Sequence, residues 1–197
     1  MPWPKLNKTG RKESAEPARP KLKAESPADQ RLKRLARKLD ELPAKDEQRL
    51  REAREIGRRQ RQGIDELHAL LRKLVDSLNH LLQNIEIELT PDSVNHDQHP
   101  KDGAMLLQLN ASGRIIQFAV SATEAGVSTE HFRTPYILHG RVRWFNQEFL
   151  DRQEIQERAI FYCVAPQLSG WRYVEPRDRG SGGLDVDFVA ESLEQLL

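Results

Sequence analysis

The stretch GIDELHALLRKLVDSLNHLLQNIEIELT, residues 63–90, changes its hydrophobic period part-way along, and that change decides the fold. Ile64, Leu67, Leu71, Leu74, Leu78 and Leu81 recur at steps of three and four, so they share one helix face. Leu70, Val75 and Leu82 flank them and widen the stripe. A stripe of that width suits a helix lying on a sheet better than the narrow seam of a two-stranded coiled coil. From Ile85 the period becomes two: Ile85, Ile87 and Leu89 alternate with Glu86 and Glu88, as in a half-buried strand.

Upstream, the same spacing runs back through Gln60, Gly57, Ala53 and Leu50, which predicts one helix over residues 45–84. At ~1.5 Å per residue it would be on the order of 60 Å long, more than a small domain can cover. Its first half should therefore project into solvent. A parallel dimer along this seam would set Arg49 and Arg54 like against like, so self-association in that form is not favoured. A shorter helix precedes it. Ser26-Pro27-Ala28-Asp29 has a capping serine, a proline at the first helical position and an acid in the first turn. Leu32, Leu35, Leu39 and Leu42 follow at helical spacing, and Pro43 is expected to end this helix and open the next. Residues 1–25, with Pro2, Pro4, Pro17 and Pro20 among Lys, Arg, Glu and Ser, have almost nothing to bury and read as a disordered basic arm.

Downstream, turn chemistry separates strand candidates at 104–110, 114–122, 129–133 (a short edge strand), 136–145, 159–164 and 170–175. The nearly continuous apolar run 159–164 predicts a central strand, and 170–175 is expected to close the sheet. Asn146 can cap a short helix over 147–152. The segment 177–183 reads as a flexible loop, and an amphipathic helix over about 187–197 turns Val186, Val189, Leu193 and Leu196 inward. The fold class is α+β: an antiparallel β-meander packed with the second half of the long helix and a C-terminal helix. Three regions follow: the arm 1–25, a charged helical extension 26–63, and an α+β domain 64–197.

Composition narrows the function. Of 197 residues 38% are hydrophobic and 31% charged, which suggests that part of the chain is unburied. The net charge of +1 conceals a division. Residues 1–62 hold 19 Lys and Arg against 10 Asp and Glu, while 63–197 hold 12 against 20, so the two parts carry +9 and −8. A polyanion-seeking N-terminal region follows, or two parts that attract each other. The single cysteine, Cys163, cannot form an intrachain disulfide, and no apolar run is long enough for a signal peptide or membrane span. A soluble cytoplasmic protein is expected, with no membrane partner and no cofactor. No family motif matches residue for residue.

Three groups of side chains are candidates for binding. Arg51, Arg54, Arg58 and Arg61 share one helix face, and Arg31, Arg34 and Lys38 do the same upstream. Guanidiniums at helical pitch can bridge successive phosphates or meet an acidic partner. The weightier alternative is a solvated face, partly neutralised by Glu47–Arg51 and Glu55–Arg59 at i, i+4. The second group, His139, Arg141, Arg143 and Arg172, could hold a carboxylate, phosphate or acidic patch, against cross-strand pairing with Glu157, Asp151 or Glu175. The third, His96 and His99 among Asp92, Asp97 and Asp102, has metal-ligand residue types but lies in a Pro- and Gly-containing loop without a fixed third ligand, so no metal site is assigned. Cys163, in its apolar run, reads as a structural thiol rather than a nucleophile. Nothing matches a catalytic triad or a phosphate loop.

The expectation is a non-enzymatic interaction or adaptor protein that binds protein partners through its basic helical extension and its α+β domain. The alternatives are a nucleic-acid- or ribosome-associated protein acting through residues 1–62, and a small-molecule-binding α+β domain.

Overall fold

The computed structural model describes residues 26–96, 104–129, 132–152, 154–175 and 180–196. The arm 1–25 lies outside them. The chain divides into two compact units, Met1–Lys45 and Asp46–Leu197.

One helix, α1 (Pro27–Leu81), replaces the two expected. Pro43 lies inside it. An internal proline forfeits one backbone hydrogen bond and crowds the carbonyl four residues back, at a cost of ~3 kcal/mol. The surrounding Leu, Ala, Lys, Arg and Glu favour helix strongly enough to carry the backbone through, and a Glu41–Lys45 ion pair of 2.9 Å spans the proline. In the Met1–Lys45 unit, α1 begins with a reciprocal cap. The Asp29 amide donates to Ser26 Oγ at 3.1 Å, and the Ser26 amide donates to the Asp29 carboxylate at 3.1 Å.

In the Asp46–Leu197 unit, α1 ends at Leu81 and the first strand starts at Ile87, later than the alternation alone suggested. The Asn79 amide group accounts for the offset. It accepts from the Ile87 N–H at 2.8 Å and donates to the Ile87 carbonyl at 2.9 Å, so helix end and strand start are tied through one side chain. Seven strands follow in sequential antiparallel order: β1 (Ile87–Thr90), β2 (Met105–Ala111), β3 (Arg114–Val127), β4 (Tyr136–Phe145), β5 (Gln156–Ala165), β6 (Leu168–Val174) and β7 (Ser181–Gly183). The helix α2 (Gln147–Arg152) sits between β4 and β5, with the Phe149 amide donating to Asn146 Oδ1 at 2.9 Å, as the cap predicted. The helix α3 (Val186–Glu194) is capped by Asp185, which accepts from the Phe188 amide at 3.0 Å.

Two strand expectations are corrected. Residues 130 and 131 lie outside the described residues, and Thr129, Phe132 and Arg133 are in no strand. Instead β3 runs on to Val127, and Thr129 and Phe132 exchange backbone bonds of 2.9 and 3.2 Å. Phe132 thereby reaches the sheet and stacks on Phe161, 4.4 Å between ring centroids. The sheet does not close at 170–175 either. Ser181–Gly183, expected as loop, pairs with β6 and forms the edge. Gly182 permits that approach, because a Cβ there would fall 2.4 Å from the Tyr173 ring.

The core lies between the sheet and the helices. Ile64, Leu67, Leu71, Leu74 and Val75 of α1 are buried in one cluster with Leu107, Phe118, Val142 and Ile160 of the strands. Each such leucine contributes roughly 1.5–3 kcal/mol. On the opposite face Phe132, Tyr136 and Cys163 form a second, smaller cluster with Phe161 and Val174. β5 is covered on both faces at that end, as its apolar run predicted.

Candidate partner-binding surfaces

The upstream cations sit on a helix face that buries nothing. Every residue from 26 to 54 is exposed, and Leu32, Leu35, Leu39 and Leu42 keep between 48% and 63% of their surface in water. Arg31, Arg34, Arg37 and Lys38 line a shallow depression around Leu35. Among the described residues no carboxylate forms an ion pair with Arg31, Arg34 or Lys38.

The downstream stripe is largely spent. Arg51 pairs with Glu47, and Arg58 and Arg59 both pair with Glu55, at 2.8 and 2.9 Å. Hydrogen bonds from Arg58 and then Arg59 hold the Glu55 carboxyl down at about 2, so it stays anionic across the ordinary pH range. Of the four arginines, Arg54 and Arg61 alone lack a carboxylate partner among the described residues. Arg61 faces an open hollow that Asp65 and Glu66 also line, which gives an anion little reason to settle there.

The next turn of α1 carries Gln60 at a seam position, and that position is filled by hydrogen bonding rather than by an apolar side chain. The Gln60 side chain donates to the Thr123 carbonyl at 2.7 Å and to the Ile137 carbonyl at 3.1 Å, where β3 and β4 break register. At Gly63 helix and sheet lie close together, and the indole of Trp171 donates to the Gly63 carbonyl at 2.6 Å. Neither partner could be found in the sequence, because each lies dozens of residues away on a strand.

The sheet-face group divides. Arg141 and Arg143 both reach Glu157, at 3.1 Å each, one of the pairings weighed above. Register places His139, Phe161 and Arg172 in one row across β4, β5 and β6. The Arg172 guanidinium donates to the Ser181 carbonyl at 2.9 Å and so fastens the β7 edge. Arg141 and Arg143 therefore share one local task and Arg172 has another.

The loop after β1 is pinned to α1. His96 meets Asp65 at 2.9 Å, His68 meets the Pro91 carbonyl at 3.1 Å, and Arg72 pairs with Asp92. His99, Asp97 and Asp102 lie outside the described residues. Among those described, no group of three His, Cys, Asp or Glu could hold a metal ion. Cys163 is buried, and that burial pushes its thiol up to about 11.

One feature escaped the sequence reading. An apolar groove of about 330 Å³ lies between the end of α1 and α3, lined by Leu78, Leu82, Ile85, Ile87 and Leu193, with Arg114 at its border. It arises where three elements meet, and no single stretch signals it.

Compared with protein-family models, with curated proteins and with solved structures, the chain finds no match. Among the described residues no helix is long and apolar enough to cross a membrane.

Proposed function

We propose that this chain is a non-enzymatic, cytoplasmic interaction protein. In this reading the basic segment of α1 captures an anionic partner, while the α+β domain supplies stability and a second binding face. The observation that carries it is the wet stripe Leu32, Leu35, Leu39 and Leu42 beside Arg31, Arg34 and Lys38. Apolar side chains aligned on one face of an amphipathic helix are the form taken by helix-in-groove and helix-on-helix recognition. The charge division of +9 upstream and −8 downstream favours an acidic partner for that segment. Binding of nucleic acid is the second reading, and it draws on the cations of residues 1–62, among them Arg54, which has no carboxylate partner among the described residues.

Charge reversal in the full chain tests the proposal. Immobilised wild-type protein should recover a partner from cell extract that the R31E/R34E/K38E variant does not, with unchanged far-ultraviolet circular dichroism. Equal recovery by the two sinks it. Recovery that disappears after nuclease treatment assigns the surface to nucleic acid instead.

A further inference from the structure

The exposed leucines of α1 form a narrow line. Leu32, Leu35, Leu39 and Leu42 repeat at steps of three, four and three, two positions in each seven. That is the width of a seam between two helices, whereas a helix lying on a sheet or a membrane presents a wider face. The wide form exists further along the same helix, where Leu70 and Val75 broaden the stripe over the sheet. Among the described residues nothing is packed on this line, so a partner that covers it would take four leucines out of water.

The residues bordering the seam define the partner. Arg31 and Lys38 directly precede Leu32 and Leu39, at the positions that face a partner's flanking side chains. Ala36 and Pro43 directly follow Leu35 and Leu42 on the other border and carry no charge. A second copy of this chain is a poor match. Aligned in parallel, Arg31 and Lys38 would meet Ala36 and Pro43, and in the antiparallel arrangement cation would meet cation. An anionic lipid surface fits badly too, because Asp40 and Glu41 interrupt the polar face and no aromatic residue sits among the leucines. Nucleic acid would use the cations but leave the leucines wet.

We propose that the stripe Leu32, Leu35, Leu39 and Leu42, bordered by Arg31 and Lys38, docks an acidic amphipathic helix of a partner protein, leucine seam against leucine seam with carboxylates along the cationic border. This rests on the reading that the segment is an interaction surface, and it names the chemistry of the partner.

The test uses the full chain and a labelled synthetic peptide of about three heptads, with Leu at the two seam positions and Glu at the flanking ones. Fluorescence anisotropy should show saturable binding that weakens as salt rises. L35A/L39A should weaken it by about tenfold or more. R31E/K38E should abolish it and create binding to the same peptide with Lys in place of Glu. Circular dichroism of each variant, matching wild type, confirms that the fold is kept. Equal affinity of wild type for the Glu and Lys peptides overturns the proposal. So does concentration-dependent dimerisation in sedimentation, or preferential binding to phosphatidylserine vesicles or duplex DNA. If neither peptide binds while R31E/R34E/K38E still loses its partner from extract, the acidic-helix proposal fails and the interaction reading stands. If both experiments are negative, both fail.

Discussion

The indole Nε1 of Trp171 donates a buried hydrogen bond of 2.6 Å to the carbonyl oxygen of Gly63, which joins the long helix to the sixth strand. A Cβ on residue 63 would lie 2.8 Å from Tyr162 Cδ1 and 2.9 Å from Leu138 Cδ1. Gly63→Ala gains up to ~1 kcal/mol of helix propensity but overpacks against a buried ring, at a typical cost of ~1–3 kcal/mol. A net loss of about 1 kcal/mol is expected in urea unfolding. Gly57→Ala on the same helix meets nothing within 4 Å and should gain up to ~1 kcal/mol. Equal shifts at the two sites would refute the close-approach argument.

Arg158 is enclosed by three aromatic rings. Its guanidinium lies 5.3 Å from the Trp144 ring centre, 5.5 Å from that of Tyr173 and 5.4 Å from that of Phe188, and it pairs with Glu175 at 3.2 Å. Its side chain is 20% exposed, against 61% for Arg141. Arg158→Met should cost roughly 2 kcal/mol through lost cation–ring attraction and an unpaired Glu175. Arg141→Met, on a wet surface pair, should cost less than about 1 kcal/mol. Thermal unfolding of the two variants separates these expectations.

Periodicity carried most of the architecture. The stripe from Ile64 to Leu74 and the alternation of the strands are local signals; the stripe is buried as expected, while β1 begins at Ile87 rather than Ile85 and β7 forms where a loop was expected. Pro43 and the strand expected at 129–133 went otherwise. Local breaker chemistry was outweighed by neighbouring helix formers in the first case. In the second, β3 ran on only to Val127, and beyond it Thr129 and Phe132 bonded to each other rather than to a neighbouring strand. On the binding surfaces, Glu47–Arg51 and Glu55–Arg59 were legible because their spacing along one helix defines them. Gln60, Gly63 and Arg158 were not, since what each touches lies on a distant strand that only the sheet register brings near. The groove between α1 and α3 belongs to the same class.

The Tyr162 hydroxyl is pushed up to about 12, first by burial and then by its hydrogen bond to Glu66. An unfolded tyrosine ionises near 10, so between about 10 and 12 the unfolded chain gives up a proton that the folded one retains. This contribution to stability is complete below about pH 10 and is lost as pH rises towards 12. Ultraviolet titration of the native protein should show a late phenolate step from Tyr162. Tyr162→Phe should remove that late step and flatten the alkaline fall in stability. A single titration near 10 for all three tyrosines would contradict the burial argument.

Cys163 tests whether the buried face of β5 is as closed as its packing implies. The residue has no exposed surface and clusters with Phe132 and Tyr136, and its thiol is pushed up to about 11. Thiolate is the reactive form, so at neutral pH both ionisation and access oppose attack. Native protein should react with an aromatic disulfide reagent far more slowly than unfolded protein, which should give one equivalent at once. Phe132→Ala removes the ring stacked on Phe161 and opens this cluster, so it should speed the native reaction by an order of magnitude or more, while costing about 3–5 kcal/mol. Fast labelling of the unaltered native chain would show that the outer cluster is open to solvent.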